Sequence, residues 1–329
     1  MFDNFYKNKR VLVTGHTGFK GSWLALWLHE LGAKVTGLAL PPNTEPSHFE
    51  LIRLQDLITH IEGDIRNEEV VRKTFEKANP EIVFHLAAQP LFRLSYDEPK
   101  MTFDTNVGGT VNILEAIRHC PSVKAAVVIT SDKCYENKEW VWGYRENEPM
   151  GGHDPYSASK GCAELVFSAY LKSFFSQDAT QDRTIGIRSP HAVRPWQHVL
   201  EPLSGYLQLG ALLSQDPKKY SGAWNLGPED GSYLTVAEMA DRLIKCWGEG
   251  SWNDLSDPQA PHEAKLLKLN CDKAHAALHW HSVLTIDECL QMTAGWYKMF
   301  YDLKPHEVMY ELCTQQIAGY MERAKKRNL

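Results

Sequence analysis

The chain has 329 residues, of which 43% are hydrophobic, and a formal net charge of -6. That is enough apolar material for one large domain or a large domain with a smaller lobe, and the acidic balance argues against a nucleic-acid binder, which normally carries a basic patch. No apolar run approaches the roughly 20 residues of a membrane span, the opening Met1–Lys7 lacks a signal-peptide core, and the seven scattered cysteines without a C-x-x-C fit reduced thiols in the cytoplasm. Neither H-E-x-x-H nor a Cys/His pair at zinc spacing occurs, so no metal is expected.

Arg10–Gly15 reads as a buried strand entering a glycine turn, followed by a helix over Ser22–Leu31. Lys34–Leu40 is a second strand, stopped by Pro41-Pro42, and Ser47–Leu54 a short helix. Leu57–Glu62 is a third strand ending at Gly63-Asp64, and Asn67–Lys77 is helical with Asn67 as its N-cap. Glu81–Ala88 is the fourth strand, Met101–His119 a long helix, Ala125–Thr130 a fifth strand and Asp154–Phe175 another long helix. Strands alternating with helices predict an α/β fold, a doubly wound parallel sheet with helices on both faces. Past Phe175 the alternation gives way to Pro, Trp and short pieces. Helices are expected over Glu201–Leu213, Thr235–Trp247, Asp272–Leu278 and Thr285–Phe300, and strands over Ala223–Leu226 and Leu266–Leu269. The basic end Arg323–Arg327 reads as a solvated helix terminus.

Thr14–Gly21 contains G-x-x-G-x-x-G directly after a strand and opening a helix. Small residues there let the backbone approach a pyrophosphate, and the helix N-terminus offers it unpaired N–H groups. A tight turn without a ligand is the plainer alternative. Gly15, His16, Thr17, Gly18, Phe19, Lys20 and Gly21 are thus candidate dinucleotide contacts. Lys20 puts a cation in the turn, free to face phosphate, ribose or solvent. The second strand ends without the carboxylate that commonly holds the ribose, so NAD and NADP are not separated by that rule.

Thr130-Ser131-Asp132-Lys133-Cys134-Tyr135 leaves a buried strand at the sheet edge where such folds bind ligands. Tyr156 and Lys160 stand four residues apart, on one face of a predicted helix. A phenol with a pKa of about 10 stays protonated at neutral pH. A nearby ammonium and a cationic cofactor ring favour its phenolate, which can then take a hydroxyl proton as hydride leaves. The adjacent Asp132 and Lys133 are more acid–base machinery than a simple alcohol oxidation needs; a surface ion pair is the blander reading of them.

The glycine turn, Ser131 and the Tyr156-x-x-x-Lys160 pair resemble the extended short-chain dehydrogenase/reductase superfamily. Within it, the strand exit is similar to that of nucleotide-sugar 4,6-dehydratases. Branches acting on dTDP-glucose or GDP-mannose carry Glu after the Asp; Lys133 matches the CDP-glucose 4,6-dehydratases instead. Longer segments agree: Gly15–Gly21, Ala87–Leu91, Thr130–Tyr135, Trp142–Glu148, Asp154–Ser157 and Arg194–Tyr206. The resemblance implies a retained NAD, a Rossmann domain over 1–183, and a smaller C-terminal substrate-binding lobe over 184–329. It also implies that Asp64-Ile65 holds the adenine and that Leu86-Ala87-Ala88-Gln89 faces the cofactor, as do Asn106, Thr130, Tyr156 and Lys160.

For the substrate, CDP-glucose, the resemblance implies Arg194 and His262 near the diphosphate, His198 lining the site, and Gln89, Arg93 and Asn106 as polar contacts. Trp140, Trp142 and Tyr144 cover the sugar or cytosine, or pack as an aromatic loop. The implied catalytic set is Ser131, Asp132, Lys133, Tyr156 and Lys160: Tyr156 as base at the sugar 4-OH, and Asp132 as acid at the 6-OH with Lys133 as base at C5, or those two tasks exchanged. As the base at C5 Lys133 must be neutral, below its ordinary pKa of about 10.4. A homodimer through the Met101–His119 and Asp154–Phe175 helices and a place in deoxysugar synthesis for lipopolysaccharide O-antigen are carried over in the same way.

The chain also departs from that branch. After the Tyr156/Lys160 helix the resemblance implies a sixth strand, a glycine-rich loop and a helix, whereas here 176–184 leads almost directly into Ile185. On the order of 40 residues are absent, counting elements of ordinary length. A parallel sheet without an inner element is physically unfavourable, so residues are expected to be missing from the numbering near 176–184. Two other readings remain: an epimerase or reductase of the same superfamily, which needs no C5/C6 elimination pair, and a non-catalytic NAD-binding sensor or scaffold, which would not need Tyr156 and Lys160.

Overall fold

The computed structural model describes residues 2–175, 184–189, 196–228, 234–251, 268–303, 306–327 and 329. Arg194, His262 and the first half of the strand expected over Leu266–Leu269 lie outside the described residues, and Leu269 forms a single bridge with Tyr144. The first half runs β1 (Arg10–Thr14), α1 (Phe19–Glu30), β2 (Lys34–Ala39), α2 (His48–Leu51), β3 (Thr59–Glu62), α3 (Glu68–Ala78) and β4 (Ile82–His85). It continues with α4 (Phe92–Asp97), α5 (Pro99–Phe103), α6 (Gly109–Arg118), β5 (Ala125–Ile129) and α7 (Pro155–Tyr170). The second half adds β6 (Thr184–Ser189), α8 (Leu200–Gln215), α9 (Pro217–Tyr220), β7 (Gly222–Asn225), α10 (Val236–Trp247), α11 (Asp272–Leu278), α12 (Ile286–Leu303) and α13 (His306–Lys326).

The strands form one parallel sheet in the order β3-β2-β1-β4-β5-β6-β7. Successive strand side chains point to opposite faces, and both faces are buried. Val11, Val13, Val35, Ile82, Phe84, Ala125 and Val127 pack against α1, α8 and α13. Leu12, Leu38, Val83, Ala126 and Val128 pack against α3, α6 and α7. This is why the strands read as unbroken apolar runs rather than as alternating ones.

The shortened region does not interrupt the sheet, since β6 pairs with β5 on one side and β7 on the other. Among the described residues, helices of the second half pack into the core of the first. Leu203, Tyr206 and Leu207 of α8 and Tyr320 of α13 share one apolar cluster with Val11 and Phe84. The Glu201 carboxylate, buried in that cluster, accepts from the Val283 and Leu284 backbone N–H groups and from the Tyr320 hydroxyl, at 2.6–3.0 Å. The C-terminal basic run is not merely solvated either: Arg327 donates to the Val283 carbonyl, and Arg323 and Arg327 both reach Glu288.

The long helix expected over Met101–His119 runs from Pro99 to Arg118 as α5 and α6, continuous through a π turn at Asp104–Gly108. Such a turn rotates one side chain out of the helical ladder and is frequent at functional sites. Here the displaced segment carries Asn106, which is buried.

Candidate active site

The C-terminal ends of β1, β2, β4 and β5 open on one cleft of about 460 Å³. Of the expected site residues, its walls bring together Gly15, Thr17, Gly18, Phe19, Lys20, Gly21, Asp64, Ile65, Leu86, Ala87, Ala88, Thr130, Ser131, Tyr156 and Lys160. Ala39, Leu40, Asn43, Pro90 and Thr105 complete it and were not singled out as contacts from the sequence. Leu40 and Asn43 stand where the ribose carboxylate is lacking.

The glycine turn is shaped for a close backbone approach. Gly15 has φ +77°, and a Cβ on it would fall 2.7 Å from the Ala87 nitrogen; one on Gly21 would run into the Gly15 carbonyl. Gly18 caps α1 without a side-chain hydrogen bond, and the first turn of α1 holds no acidic residue. The helix therefore presents N–H groups and its positive dipole end to the cleft. A dinucleotide pyrophosphate fits that cradle. Asp64 accepts from the Arg66 backbone N–H at 2.9 Å and from its guanidinium, which holds the carboxyl below its ordinary range.

Three expected contacts turn away from the cleft. The His16 ring is fully buried, with its Nε2 2.7 Å from His60 Nδ1, and it fills the space left by the absent side chain of Gly37. Burial pushes its pKa down to about 3. Only its backbone is placed to meet a phosphate. Gln89 and Asn106 are bound to the protein itself. The Gln89 N–H donates to Asn106 Oδ1 at 2.8 Å, its amide donates to Thr102 Oγ1 at 2.9 Å, and Asn106 Nδ2 donates to Ser159 Oγ at 2.8 Å. They tie the segment after β4 to α7, behind the cleft. The π turn makes this link, and helical periodicity carries no sign of it.

His198 is likewise buried, edge-on to Trp23 at 6.3 Å, with its pKa pushed down to about 4 by burial. Arg93 is exposed on α4. In the loop before α7, Trp140 and Tyr135 stack on Tyr144 at 5.3 and 5.4 Å, while Trp142 is exposed. Two of the three aromatics therefore pack on the protein. Among the described residues no group of acidic, His or Cys side chains is arranged to hold a metal ion.

The proton-handling groups converge beneath α7. Asp154 caps that helix by accepting from the Ser157 N–H at 2.8 Å, which sets Tyr156 in its first turn facing the β5 exit. Burial raises the Tyr156 phenol to about 12, opposed by its hydrogen bond with Ser131. Lys160 is buried, its ammonium 5.9 Å from the Tyr156 ring, and desolvation lowers it to about 8. Asp132 is wholly buried. Its Oδ1 accepts from the Ser131 hydroxyl and the Lys133 N–H, both at 2.9 Å, while Oδ2 has no partner. Burial raises its pKa to about 6, with Lys133 and Lys20 among the charges pulling the other way. Lys20 extends from the turn toward α8, its ammonium 3.5 Å from the Tyr206 hydroxyl. Lys133 stands 5.6 Å over the Phe92 ring. A weakly acidic carboxyl, a phenol, a serine hydroxyl and three lysines at one strand exit can pass several protons in a single reaction cycle.

Residues 12–191 match the GDP-mannose 4,6 dehydratase family. The chain is 48% identical to the CDP-glucose 4,6-dehydratase of Salmonella typhimurium over 354 aligned positions, covering 97% of this chain and 98% of that protein. The alignment is longer than the 329 residues of this chain, so the relative carries residues that this chain lacks. Among solved structures, a UDP-glucose 4-epimerase from Stenotrophomonas maltophila with bound NAD superposes with a TM-score of 0.75 at 20% identity, over 89% of this chain and 99% of that one. A dTDP-glucose 4,6-dehydratase from Bacillus anthracis in complex with NAD superposes with a TM-score of 0.68 at 19% identity, over 89% and 97%. At that identity the two structures speak for the fold.

The raised pKa of Asp132 has a consequence for stability. A carboxyl whose folded pKa lies above its ordinary 3.8 stabilises the fold fully only below that value, and the contribution is lost as pH rises through about 6. At pH 8 the buried carboxylate is therefore a burden of order 1–3 kcal/mol. Asp132→Asn keeps the Oδ1 acceptor and removes the charge. Thermal unfolding should show it more stable than the parent at pH 8, with the difference vanishing toward pH 4.

Proposed function

The chain belongs to the GDP-mannose 4,6 dehydratase family, and on that footing we propose that it is an NAD-dependent lyase converting CDP-D-glucose to CDP-4-keto-6-deoxy-D-glucose and water. The observation that carries this reading is the junction at one strand exit of the Ser131–Tyr156–Lys160 set with a further acid–base pair, Asp132 and Lys133. The 48% identity to a CDP-glucose 4,6-dehydratase supports the nucleotide. An epimerase or reductase is disfavoured because it has no use for the extra pair.

NAD held in the glycine-turn cleft would supply a reversible hydride acceptor, and its positive ring would favour a phenolate nearby. Tyr156 removes the 4-OH proton, with Ser131 polarising the same oxygen and Lys160 stabilising the phenolate. The 4-ketone acidifies the C5 proton, which Lys133 removes. Asp132 protonates the departing 6-OH. A pKa near 6 suits this task, because a carboxyl poised close to neutrality can hold a proton and release it. The partnerless Oδ2 is the oxygen free to act. Once C6 is reduced, Lys133 returns to C5 the proton it holds, and the cycle closes without net redox change.

The same reading includes a homodimer, cytoplasmic residence and a role in making deoxysugar precursors of O-antigen. None of the seven cysteines is joined in a disulfide, which is compatible with a reducing compartment. No helix among the described residues is long and apolar enough to cross a membrane. Tyr96 on α4, Phe103 on α5 and Leu165 on α7 are 44%, 36% and 61% exposed on packed neighbouring helices. Covering that face with a second copy would bury it through a two-fold contact.

Incubation of the NAD-loaded protein with CDP-glucose should yield a product lighter by one water, with a new 4-keto group and no net NADH. Inversion at C4 without mass change would establish the epimerase instead. Lys133→Ala should still oxidise C4, seen as NADH in a single turnover, but eliminate water at least about 100-fold more slowly. Elimination at the parent rate would refute Lys133 as the base. Leu165→Glu should turn a dimer into a monomer by light scattering; a parent that is already monomeric removes the dimer proposal.

A further inference from the structure

Tyr156, Lys160 and Glu164 follow at intervals of four along α7 and so share one face of the helix. Glu164 is only 7% exposed and Lys160 only 6%, so the two charges share a region from which water is largely excluded. Thr130, at the β5 exit, donates its hydroxyl to the Glu164 carboxylate and is itself 6% exposed. The cleft wall at Thr130 and the Tyr156/Lys160 face of α7 are thereby joined through one buried carboxylate. We propose that Glu164, oriented by Thr130, is a positioning residue that keeps the Lys160 ammonium charged and in place beneath Tyr156.

The electrostatics agree in sign. Burial alone drives Lys160 toward the neutral amine; Cys134 and Glu164 are the two groups that oppose it, and the balance leaves the amine near 8. The other titratable groups around this point are His85 on β4, Asp132 and Tyr135 at the strand exit, and Tyr156 itself. His85 is buried and pushed down to about 3, hence neutral. The Tyr135 phenol is raised and also neutral. The Asp132 charge acts on Tyr156 and disfavours its phenolate. Glu164 is therefore the carboxylate on the face of α7 that can hold Lys160 as a cation. Without it a larger share of Lys160 is neutral at physiological pH, and Tyr156 ionises only at higher pH.

In its kinetic form the inference rests on the dehydratase reading, since it uses turnover of CDP-glucose. Glu164→Gln keeps the shape and an acceptor for Thr130 but removes the charge. The ascending limb of its kcat/KM profile should move up by about half to one pH unit. Glu164→Asp should return part of that shift, and Thr130→Val should move the limb the same way by less. A substrate-free readout separates the two levels of the argument. In the NAD-loaded protein, the phenolate absorbance of the parent minus that of Tyr156→Phe isolates the Tyr156 titration, and the same difference in the Glu164→Gln background should lie higher in pH. Absence of turnover with an intact Tyr156 shift would overturn the dehydratase reading and leave this one standing. A Glu164→Gln protein that melts earlier yet titrates Tyr156 at the parent pH would reduce Glu164 to a packing role. If Glu164→Gln does not fold, Thr130→Val decides, and an unmoved limb and titration there refute the proposal.

Discussion

Thr130, Ser131 and Asp132 leave β5 directly beneath α7, and the burial they meet there governs the rest of the site. Both faces of the sheet are covered, so the strand exit is the first place where polar groups can gather, and they gather where little water can solvate charge. Burial lifts Asp132 to about 6 and Tyr156 to about 12 and lowers Lys160 to about 8. Each group is moved toward its neutral form. The same low-dielectric setting strengthens every remaining charge–charge contact, which is why single partners such as Ser131 and Glu164 matter to which protons move.

The cofactor cradle and the acid–base groups are held to one frame by hydrogen bonds between elements. Thr14 at the end of β1 lies 2.7 Å from His85 at the end of β4 and accepts from the Ala87 N–H at 3.1 Å. Asn106 then links Gln89 to Ser159 on α7. The glycine turn, the segment after β4 and the Tyr156 helix thus form a continuous buried network. Its members are polar side chains bonded to one another, which fixes the glycine turn and α7 relative to each other.

Much of this was legible in the chain. The apolar runs of β1, β4 and β5 need no partner information to be read as buried strands, because the sheet is covered on both sides. Gly15 and Gly21 follow from steric demand in a strand-to-helix turn, and Tyr156 and Lys160 from helical spacing. His16, Gln89, Asn106 and His198 were less legible. Each has a residue type that could bind a ligand, and its direction depends on a neighbour distant in sequence: His60, Thr102, Ser159 and Trp23 respectively. The π turn inside the Met101–His119 helix leaves no mark in the chain, since it preserves composition and hydrophobic pattern while shifting the register of a few side chains.

The sequence by itself determined the doubly wound topology and the place of the cleft at the strand exits, and it brought the candidate acid–base residues Ser131, Asp132, Lys133, Tyr156 and Lys160 to that edge. The topology and the place of the cleft rest on local rules of periodicity, turn sterics and strand-to-helix connection that act within a few residues. The tertiary structure alone decided which charges are buried, which polar groups are already engaged, and that α8 and α13 pack into the core beneath β1 and β4. Desolvation and long-range hydrogen bonding depend on what packs against a residue from elsewhere in the chain, and no local pattern carries that information.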